Sequence, residues 1–310
     1  MPKVAAGKEP PAASAEAYPP SGKSPADAPR REWADIAAAV WARIGENRVV
    51  AVAAGLTFYA LLAIFPGVTA IVSIYGLFAD PASISVHMGQ FNGILPEGGI
   101  SVIGDQIALI ANQRNDALGL AFFVGLLTSI WSANAGVKAL FDAMNVAYGV
   151  SETRSFVRLN ALSLTFTASF LLLAIVALGG AVALPIALQA MSLRFDDLAV
   201  LANWLRWPVL ALVGIASLAL VYRYGPAGEE RPWRWITPGS VFASIVWLLA
   251  SAAFAYYSAN FGSYNKTYGT LGAVIGFMTW IWVSAIVVMI GAEINAETEG
   301  AAKPAVQSKN

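Results

Sequence analysis

The chain has 310 residues, of which 57% are hydrophobic and only 12% charged, and its formal net charge is zero. Soluble domains average roughly 25% charged residues, and a neutral chain is not typical of proteins that hold nucleic acid by bulk electrostatics, so we expect no nucleic-acid partner. The lack of cysteine excludes disulfides, thiolate metal sites and cysteine nucleophiles, and a single histidine, His87, is too few for a histidine-rich metal centre. We therefore expect neither a metal nor a cofactor.

The amino-terminal segment does not resemble a secretion signal. Residues 1–30 contain seven prolines and no apolar run, so they lack the hydrophobic region that such a signal requires. We predict that residues 1–31 form a disordered cytoplasmic tail. In residues 32–48, apolar side chains recur at helical spacing, which favours a helix lying on the membrane interface; a plain lead-in to the first span is the alternative.

Most of the remaining chain is divided into stretches without any charge. Six runs contain no Asp, Glu, Lys, Arg or His, and they are residues 49–79, 117–137, 159–193, 207–222, 235–265 and 267–292. A bilayer core needs about 20 apolar residues of helix, and the one shorter run, 207–222, is flanked by Trp and Tyr side chains typical of membrane interfaces. We predict an all-α polytopic membrane protein with six transmembrane helices in residues 32–298, the fifth span ending near residue 260. Short amphipathic helices outside the membrane, including part of 80–116, and a disordered tail at 299–310 complete the prediction.

Two places in these runs are candidates for a hinge or gate. Pro66 lies inside the first run, and with Tyr59 it suits a hinge, although a static kink is the commoner meaning of such a proline. Only Lys266 separates the last two runs, which predicts a tight hairpin. Its residues fit either turn chemistry or the mouth of a pathway, and they are Tyr264, Asn265, Tyr268, Gly269 and Thr270. Just beyond them, Gly272 and Gly276 form a GxxxG pair that permits close helix packing.

The distribution of Lys and Arg predicts the orientation. Six spans would place both termini on one side with loops 138–158 and 223–234, and this side is rich in Arg and Lys. The opposite side holds only Arg114, Arg194, Arg206 and Lys266. Because Lys and Arg concentrate in cytoplasmic loops, both termini are expected in the cytoplasm.

Several long motifs carry a resemblance to a known family. They are GLTFYALLAIFPG at 55–67, IWSANAGVKALFDAMNVAYGV at 130–150, VYRYGP at 221–226, WRWITPGS at 233–240 and NFGSYNKTYGTLGAVIGFMTWIWVSAIVVMIGAEINAE at 260–297. Together they resemble the YihY/BrkB family of bacterial inner-membrane proteins over roughly residues 32–298.

The resemblance implies six transmembrane helices in the cytoplasmic membrane and no established chemistry. Some members carry an older label of ribonuclease, others one of virulence or serum resistance, and members have been linked to envelope lipid handling. Many have a small polar residue followed by Arg where this chain has Asn134 and Ala135. That departure weakens the transfer of any role of the arginine in binding an anion.

One polar stripe is the best candidate for a pathway. Asn134, Lys138, Asp142 and Asn145 are spaced by four, four and three residues, so a continuous helix aligns them on one face at the cytoplasmic end of the second span. The stripe fits a polar cavity. The alternative, which we favour, is that Lys138 and Asp142 form only an interfacial ion pair.

The end of the last span holds the other candidates. Glu293 closes a long apolar run, and Asn295 follows it. The carboxylate suits cation binding, pairing with Arg154, Arg158 or Arg223, or a helix end in water.

The inventory for catalysis is poor, since no cluster of acid, base and metal ligands is evident and no phosphate-binding loop occurs. We expect no enzyme, but a transporter or translocator of a lipid-like or amphipathic envelope component. A non-transporting structural partner in an envelope complex is the alternative, and a tRNA-processing ribonuclease a distant third. The expected partners are membrane lipids, with a second copy of the chain or envelope proteins as further candidates.

Overall fold

The computed structural model describes residues 33–75, 100, 103–105, 120–190, 195–228, 236–261 and 270–302. Seven helices account for nearly all of this part of the chain. They are α1 (Trp33–Glu46), α2 (Val49–Tyr75), α3 (Leu120–Ala147), α4 (Phe156–Ala190), α5 (Phe195–Tyr224), α6 (Pro238–Phe261) and α7 (Thr270–Ala302). No strand occurs among the described residues, so the all-α prediction is confirmed for them.

Several helices extend beyond the charge-free runs that predicted them. α3 continues ten residues past its run, through Lys138 and Asp142, and α5 begins twelve residues before its run. α7 continues to Ala302, so the prediction of a disordered tail is wrong for residues 299–302. The segment after Glu293 is rich in Ala and Glu, which favour helix, and it contains no proline before residue 304.

In the described part of the chain, four helices are long and apolar enough to cross a membrane by length and composition. These segments are Val49–Ile74, Phe156–Ala177, Pro238–Tyr257 and Val274–Glu299, and Pro208–Tyr224 of α5 is a shorter apolar helix. The span count of six therefore stays a prediction.

The helix ends identify one face of the bundle where chain segments converge. Arg43 of α1 bonds to Ala147 at the end of α3 and to Glu293 near the end of α7. Arg154, just before α4, bonds to Gly225, just after α5. We call this end, where α2, α4 and α6 begin and α3, α5 and α7 finish, the shared end of the bundle.

The core is also concentrated toward the shared end. α2 packs closely against α3, and α7 packs against α6 and α2. The buried cluster contains many small residues alongside Met144, Met289 and Tyr222. Small side chains let helix backbones approach closely, so the helices are held tightest where their polar ends meet.

The outer surface of the helices is apolar. Large hydrophobic side chains point outward from all six helices α2–α7, including Leu62, Leu127, Leu172, Leu212, Leu249 and Ile275. Hydroxyl groups on these helices bond back to their own backbone, as Thr128 does to Val124 and Thr165 to Ala161. This pattern suits helices that are surrounded by lipid.

Candidate functional sites at the shared end

Glu293 lies in a polar network that joins α1, α3 and α7. Its side chain is fully buried and accepts hydrogen bonds from Arg43 Nε at 2.7 Å and Asn47 Nδ2 at 2.6 Å. Arg43 also reaches Glu297 at 2.9 Å and the carbonyl oxygen of Ala147 at 2.7 Å. A buried carboxylate needs such paired donors. Glu293 therefore pairs with Arg43 of α1, rather than with the three arginines that the sequence suggested.

This network explains how α1 is held on the bundle. Asn47 follows directly after α1, and Arg48 adopts a left-handed backbone conformation with φ of 49°, which is unfavourable for a residue other than glycine. Arg43, inside α1, and Asn47, at this turn, both reach Glu293 of α7. Ile36 and Val40 are buried, while Trp33 and Trp41 are exposed. α1 thus packs one apolar face on the bundle and leaves two tryptophans for its surroundings.

Asn295 serves the start of α6. Its Oδ1 accepts the backbone N–H of Gly239 at 2.8 Å, and its Nδ2 donates to Thr237 Oγ1 at 2.9 Å. Thr237 caps α6 by accepting the N–H of Ser240. The first N–H groups of a helix have no partner within it. Asn295, on the neighbouring helix α7, supplies a partner for one of these groups, the N–H of Gly239. Asn295 is itself 1% exposed.

Asn145 joins the two loops that flank α4 and α5. Its Oδ1 accepts the N–H of Ala227 at 2.7 Å, and its Nδ2 donates to Glu152 at 3.1 Å. Glu152 is held by Arg154, whose guanidinium also donates to the carbonyl oxygens of Tyr224 and Gly225. Hydrogen bonding to Arg154 lowers the pKa of Glu152 to about 2. The cluster fastens the α3–α4 loop to the end of α5.

Lys138 and Asp142 form no ion pair with each other. Lys138 Nζ lies over the rings of Trp131 and Phe156, 5.4 and 6.0 Å from their centroids. Asp142 is exposed, although the next residue of α3, Ala143, is buried. The interfacial pair that we favoured is therefore not made in this structure. The two side chains lie on the outer surface of α3 and do not enter the bundle with Asn145.

Asn134 is the deepest polar residue of the stripe. It is fully buried, and its Oδ1 accepts a hydrogen bond from Thr167 Oγ1 of α4 at 3.1 Å. Its Nδ2 has no hydrogen-bond partner among the described residues. The four residues of the stripe thus occupy three separate environments: a buried contact with α4, the outer surface, and the loop cluster at the shared end.

The hinge and gate residues fall partly outside the described chain. α2 continues through Pro66, and Tyr59 is half exposed beside Phe58 on the outer surface. Tyr264, Asn265, Tyr268 and Gly269 lie outside the described residues, and Thr270 is the first residue of α7.

The close helix approach lies at glycines other than the predicted pair. A Cβ on Gly276 would meet no atom within 4 Å, so this half of the GxxxG pair makes no close contact, and Gly272 is half-buried in the first turn of α7. At Gly239 of α6, by contrast, a Cβ would lie 1.9 Å from the carbonyl oxygen of Gly291. At Gly291 it would lie 2.8 Å from Ala243 Cβ. α6 and α7 therefore cross at Gly239 and Gly291.

An apolar cavity of about 490 Å³ lies among α2, α3, α4 and α7. Its walls include Ala60, Gly67, Ala133 and Phe170. Among the described lining residues, only Thr167 and Ser284 carry hydroxyl groups, and none is charged. A cavity of this size and chemistry suits an alkyl chain better than a polar solute.

Sequence reasoning missed the residues that hold this end together, above all Arg43, Asn47, Glu152, Gly239 and Gly291. Arg43 and Asn47 are four residues apart, a spacing that places two side chains on one helix face. Nothing local indicates that both address Glu293. The spacing of Arg43 and Asn47 could therefore be read from the sequence, but their shared partner, Glu293, could not.

Comparison with known proteins gives the family. Residues 40–310 match the family described as Virulence factor BrkB. The chain belongs to this family. Among its relatives is the "Putative ribonuclease-like protein YfkH" of Bacillus subtilis (strain 168), 31% identical over 252 residues, which are 78% of this chain and 87% of the relative. A "UPF0761 membrane protein" of Tolumonas auensis is 24% identical over 261 residues, 83% of this chain and 82% of the relative.

The family resemblance seen in the sequence motifs is thus confirmed. The relatives' names describe membrane proteins and, in one case, a ribonuclease-like protein. No solved structure matches the chain.

Proposed function

We propose that this BrkB-family protein is a six-span protein of the bacterial cytoplasmic membrane that moves a lipid-like or amphipathic envelope component between leaflets. Both termini face the cytoplasm in this proposal, because Lys and Arg concentrate in the segments that six spans would place on the side of the termini. The observation that carries it is the apolar cavity among α2, α3, α4 and α7. Apolar space between helices costs packing free energy unless a guest occupies it, so the cavity supports a protein that takes up an apolar molecule.

The described residues that line the cavity carry no charge, and this limits the chemical class of cargo that fits it. Its walls offer two hydroxyl groups and otherwise apolar surface, so an ion or sugar would lose its hydration there without compensation. An acyl or prenyl chain would lose nothing comparable. The cargo class that fits is therefore a molecule with a long apolar part.

A structural partner in an envelope complex is the second candidate, favoured by a different observation. Glu293, Asn295 and Asn145 are each committed to hydrogen bonds with another helix or loop of the bundle, which suits a rigid bundle more than a moving one. Trp33 and Trp41 of α1 are exposed and would be available to a partner. In this case the cavity would be occupied by a resident lipid.

The test is lipid translocation by the purified protein in liposomes, measured by the accessibility of a fluorescent lipid to an impermeant quencher. The decisive variant is Gly67→Leu, since a Cβ at Gly67 meets only Ala133 Cβ at 4.0 Å and the larger side chain would fill the cavity. Gly55→Leu is the matched control on the same helix, because Gly55 has no atom within 4 Å and does not line the cavity.

We expect translocation by the wild type and by Gly55→Leu, and a loss of about tenfold or more in Gly67→Leu, in line with a filled binding cavity. A wild-type protein that leaves lipid distribution unchanged in the liposomes would favour the structural candidate. Equal activity of the two variants would remove the cavity from the mechanism.

We further propose that the chain has no catalytic activity of its own. Within the described residues, no three His, Cys, Asp or Glu side chains come together as metal ligands. RNA cleavage that co-purifies with the protein and disappears in a point variant of it would contradict this proposal.

A further inference from the structure

A second cavity, of about 650 Å³, lies at the shared end between α4 and α5. Three arginines line it: Arg154, Arg158 and Arg223. No Asp or Glu is among its described lining residues. A concentration of positive charge without an acidic side chain in the wall favours an anionic occupant.

The cavity continues from the arginines along the first turns of α4. Arg158, Leu162 and Thr165 line it and follow each other at spacings of four and three residues, so they share one face of α4. That face is opposite the one carrying Thr167 and Phe170, which lines the apolar cavity. The arginine cavity is thus a separate site, charged at one end and less polar beyond it.

The helix arrangement leaves this space open. α4 packs on α3, and α5 packs on α6, whereas α4 and α5 are not among the helix pairs with extensive contacts in the described residues. They meet near the shared end, where the rings of Phe166 and Tyr224 lie 6.4 Å apart. The cavity therefore occupies a gap between two membrane helices, beside their polar ends.

The three arginines differ in how far they are already engaged. Arg154 is 7% exposed and is bound to Glu152 and to the carbonyl oxygens of Tyr224 and Gly225. It therefore covers the negative end of α5 instead of leaving those carbonyls to face the cavity. Arg223 stacks on the Tyr224 ring, with its guanidinium carbon 5.2 Å from the ring centroid. Arg158 is an exposed residue, and its guanidinium makes no ion pair or hydrogen bond within the described residues.

We propose that this cavity binds a phosphate-bearing anion, with Arg158 and Arg223 as its ligands and Arg154 as the residue that fixes the cavity wall. Guanidinium groups match the geometry of phosphate oxygens and bind them in pairs of hydrogen bonds. Basic pockets between membrane helices on the cytoplasmic side bind anionic lipid headgroups. The same chemistry would accept a soluble phosphate. The site does not depend on the proposed translocation, since a protein that transports nothing can still bind an anion here.

The experiment measures binding to the purified full-length chain. In nanodiscs of phosphatidylcholine, a rising fraction of phosphatidylglycerol is added and bound lipid is counted by native mass spectrometry. In detergent, inorganic phosphate and glycerol phosphate are titrated by calorimetry. Arg158→Gln is the first variant, because that side chain holds no other part of the described structure. Arg158→Gln with Arg223→Gln removes both ligands.

Lys138→Gln is the matched control. It removes one positive charge near the same end of the bundle, but Lys138 does not line the cavity. Loss of one charge-assisted pair should weaken binding about tenfold in Arg158→Gln, further in the double variant, and less than twofold in Lys138→Gln. Arg158→Lys should bind with intermediate affinity, since it keeps the charge but not the planar pair of donors.

The nanodisc and detergent measurements distinguish the two sources of phosphate, a lipid headgroup and a soluble anion. Preference for phosphatidylglycerol that Arg158→Gln removes assigns the site to a lipid headgroup, and phosphate binding that the variant removes, without a lipid preference, assigns it to a soluble anion. Two results would overturn the proposal. One is equal binding of all ligands by wild type and double variant; the other is a loss in Lys138→Gln as large as in Arg158→Gln, which would reflect general surface charge.

A further variant tests whether acidic residues of the chain itself occupy the arginine cavity. Glu229 and Glu230 follow Gly228 in the sequence. If their carboxylates are the true partners of the arginines, the wild type will bind no phosphate, and Glu229→Gln with Glu230→Gln will be needed before any binding appears. That outcome would contradict the proposal, and unchanged or modestly tighter binding in this variant supports it.

Discussion

A fully buried carboxylate near the end of a membrane helix is stable only when donors surround it, and Glu293 has two donor residues. Arg43 and Asn47 contact the carboxylate directly, and Arg43 carries the charge that balances it. Removing one partner of such a pair leaves an uncompensated charge, which costs more than the pair itself contributes. Changing Arg43 alone, and changing Arg43 together with Glu293, should therefore have unequal effects on stability.

We predict that Arg43→Gln lowers the free energy of unfolding by about 3 kcal/mol, and that adding Glu293→Gln recovers part of this loss. The double variant removes the buried charge of Glu293 and places two amides within reach of each other, while Glu297 stays charged without its bond to Arg43, so the recovery is partial. Thermal unfolding in detergent would measure both effects, with Glu46→Gln, an exposed acid on the same helix, as control. A double variant less stable than Arg43→Gln would contradict this account.

Glu152 supplies a dependence on pH. Its pKa falls from an ordinary 4.5 to about 2, mainly through its hydrogen bonds to Arg154. Because the folded pKa is depressed, its stabilising contribution is complete above the unfolded pKa and is lost as pH falls through the window from 4.5 to about 2. The difference in unfolding temperature between wild type and Glu152→Gln should be constant from pH 7 to 5. Below pH 4.5 it should shrink, and a difference that grows there would refute the assignment.

Asp142 tests whether the polar stripe of α3 has any role in a pathway. It is exposed and makes no ion pair with Lys138, so Asp142→Asn should change the free energy of unfolding by less than about 1 kcal/mol. Lipid translocation in liposomes should be unaffected. If the variant inserts and unfolds normally but loses translocation, the outer surface of α3 belongs to the pathway after all.

At the scale of elements, the crossing of α6 and α7 is fixed by two glycines that face each other. The Cβ of an alanine at Gly239 would lie 1.9 Å from the carbonyl oxygen of Gly291. Backbone cannot yield as a flexible side chain does, so the two helices would have to separate. Separation would also pull Asn295 away from the start of α6, since its Oδ1 binds the N–H of Gly239.

We predict that Gly239→Ala costs about 1–3 kcal/mol of stability, as overpacking does, and that Gly276→Ala is neutral or stabilises by up to about 1 kcal/mol through helix propensity. Both variants replace a glycine by alanine, one in α6 and one in α7, so each serves as the control for the other in thermal unfolding. If Gly276→Ala destabilised the protein more than Gly239→Ala, the close helix contact would lie at the GxxxG pair instead.

These elements show what a sequence can specify. A helix that is apolar around its whole circumference is a local property, which is why the charge-free runs lie within or overlap the observed helices. The partners of a polar residue are not local: Arg43 and Glu293 are separated by 250 positions, and Asn145 and Ala227 by 82. The GxxxG spacing likewise identifies a smooth helix face but not the surface that meets it. Asn134, Asn145, Glu293 and Asn295 were therefore found as candidates, while their structural partners were not.

At the scale of the whole molecule, the shared end gathers the charged network, the arginine cavity and the tightest core on one side of the bundle. If the bundle spans a membrane, this end must lie on a single side, because its segments bind each other directly. The Arg and Lys content of the sequence predicts that this side faces the cytoplasm. Ser151, in the loop between α3 and α4, is exposed at this end and reports on it.

We predict that a cysteine at Ser151 is shielded from an impermeant thiol reagent in intact cells and reacts after the membrane is permeabilised. A cysteine at Ser85 or Ser263 should react in intact cells, since six spans place those positions outside. The native chain has no cysteine, so background labelling from it is absent. Ser151 is the deciding position because its loop is fastened through Asn145 and Arg154 to the end of α5. Labelling there in sealed cells would place the whole shared end, with its arginine cavity, on the outer side of the membrane.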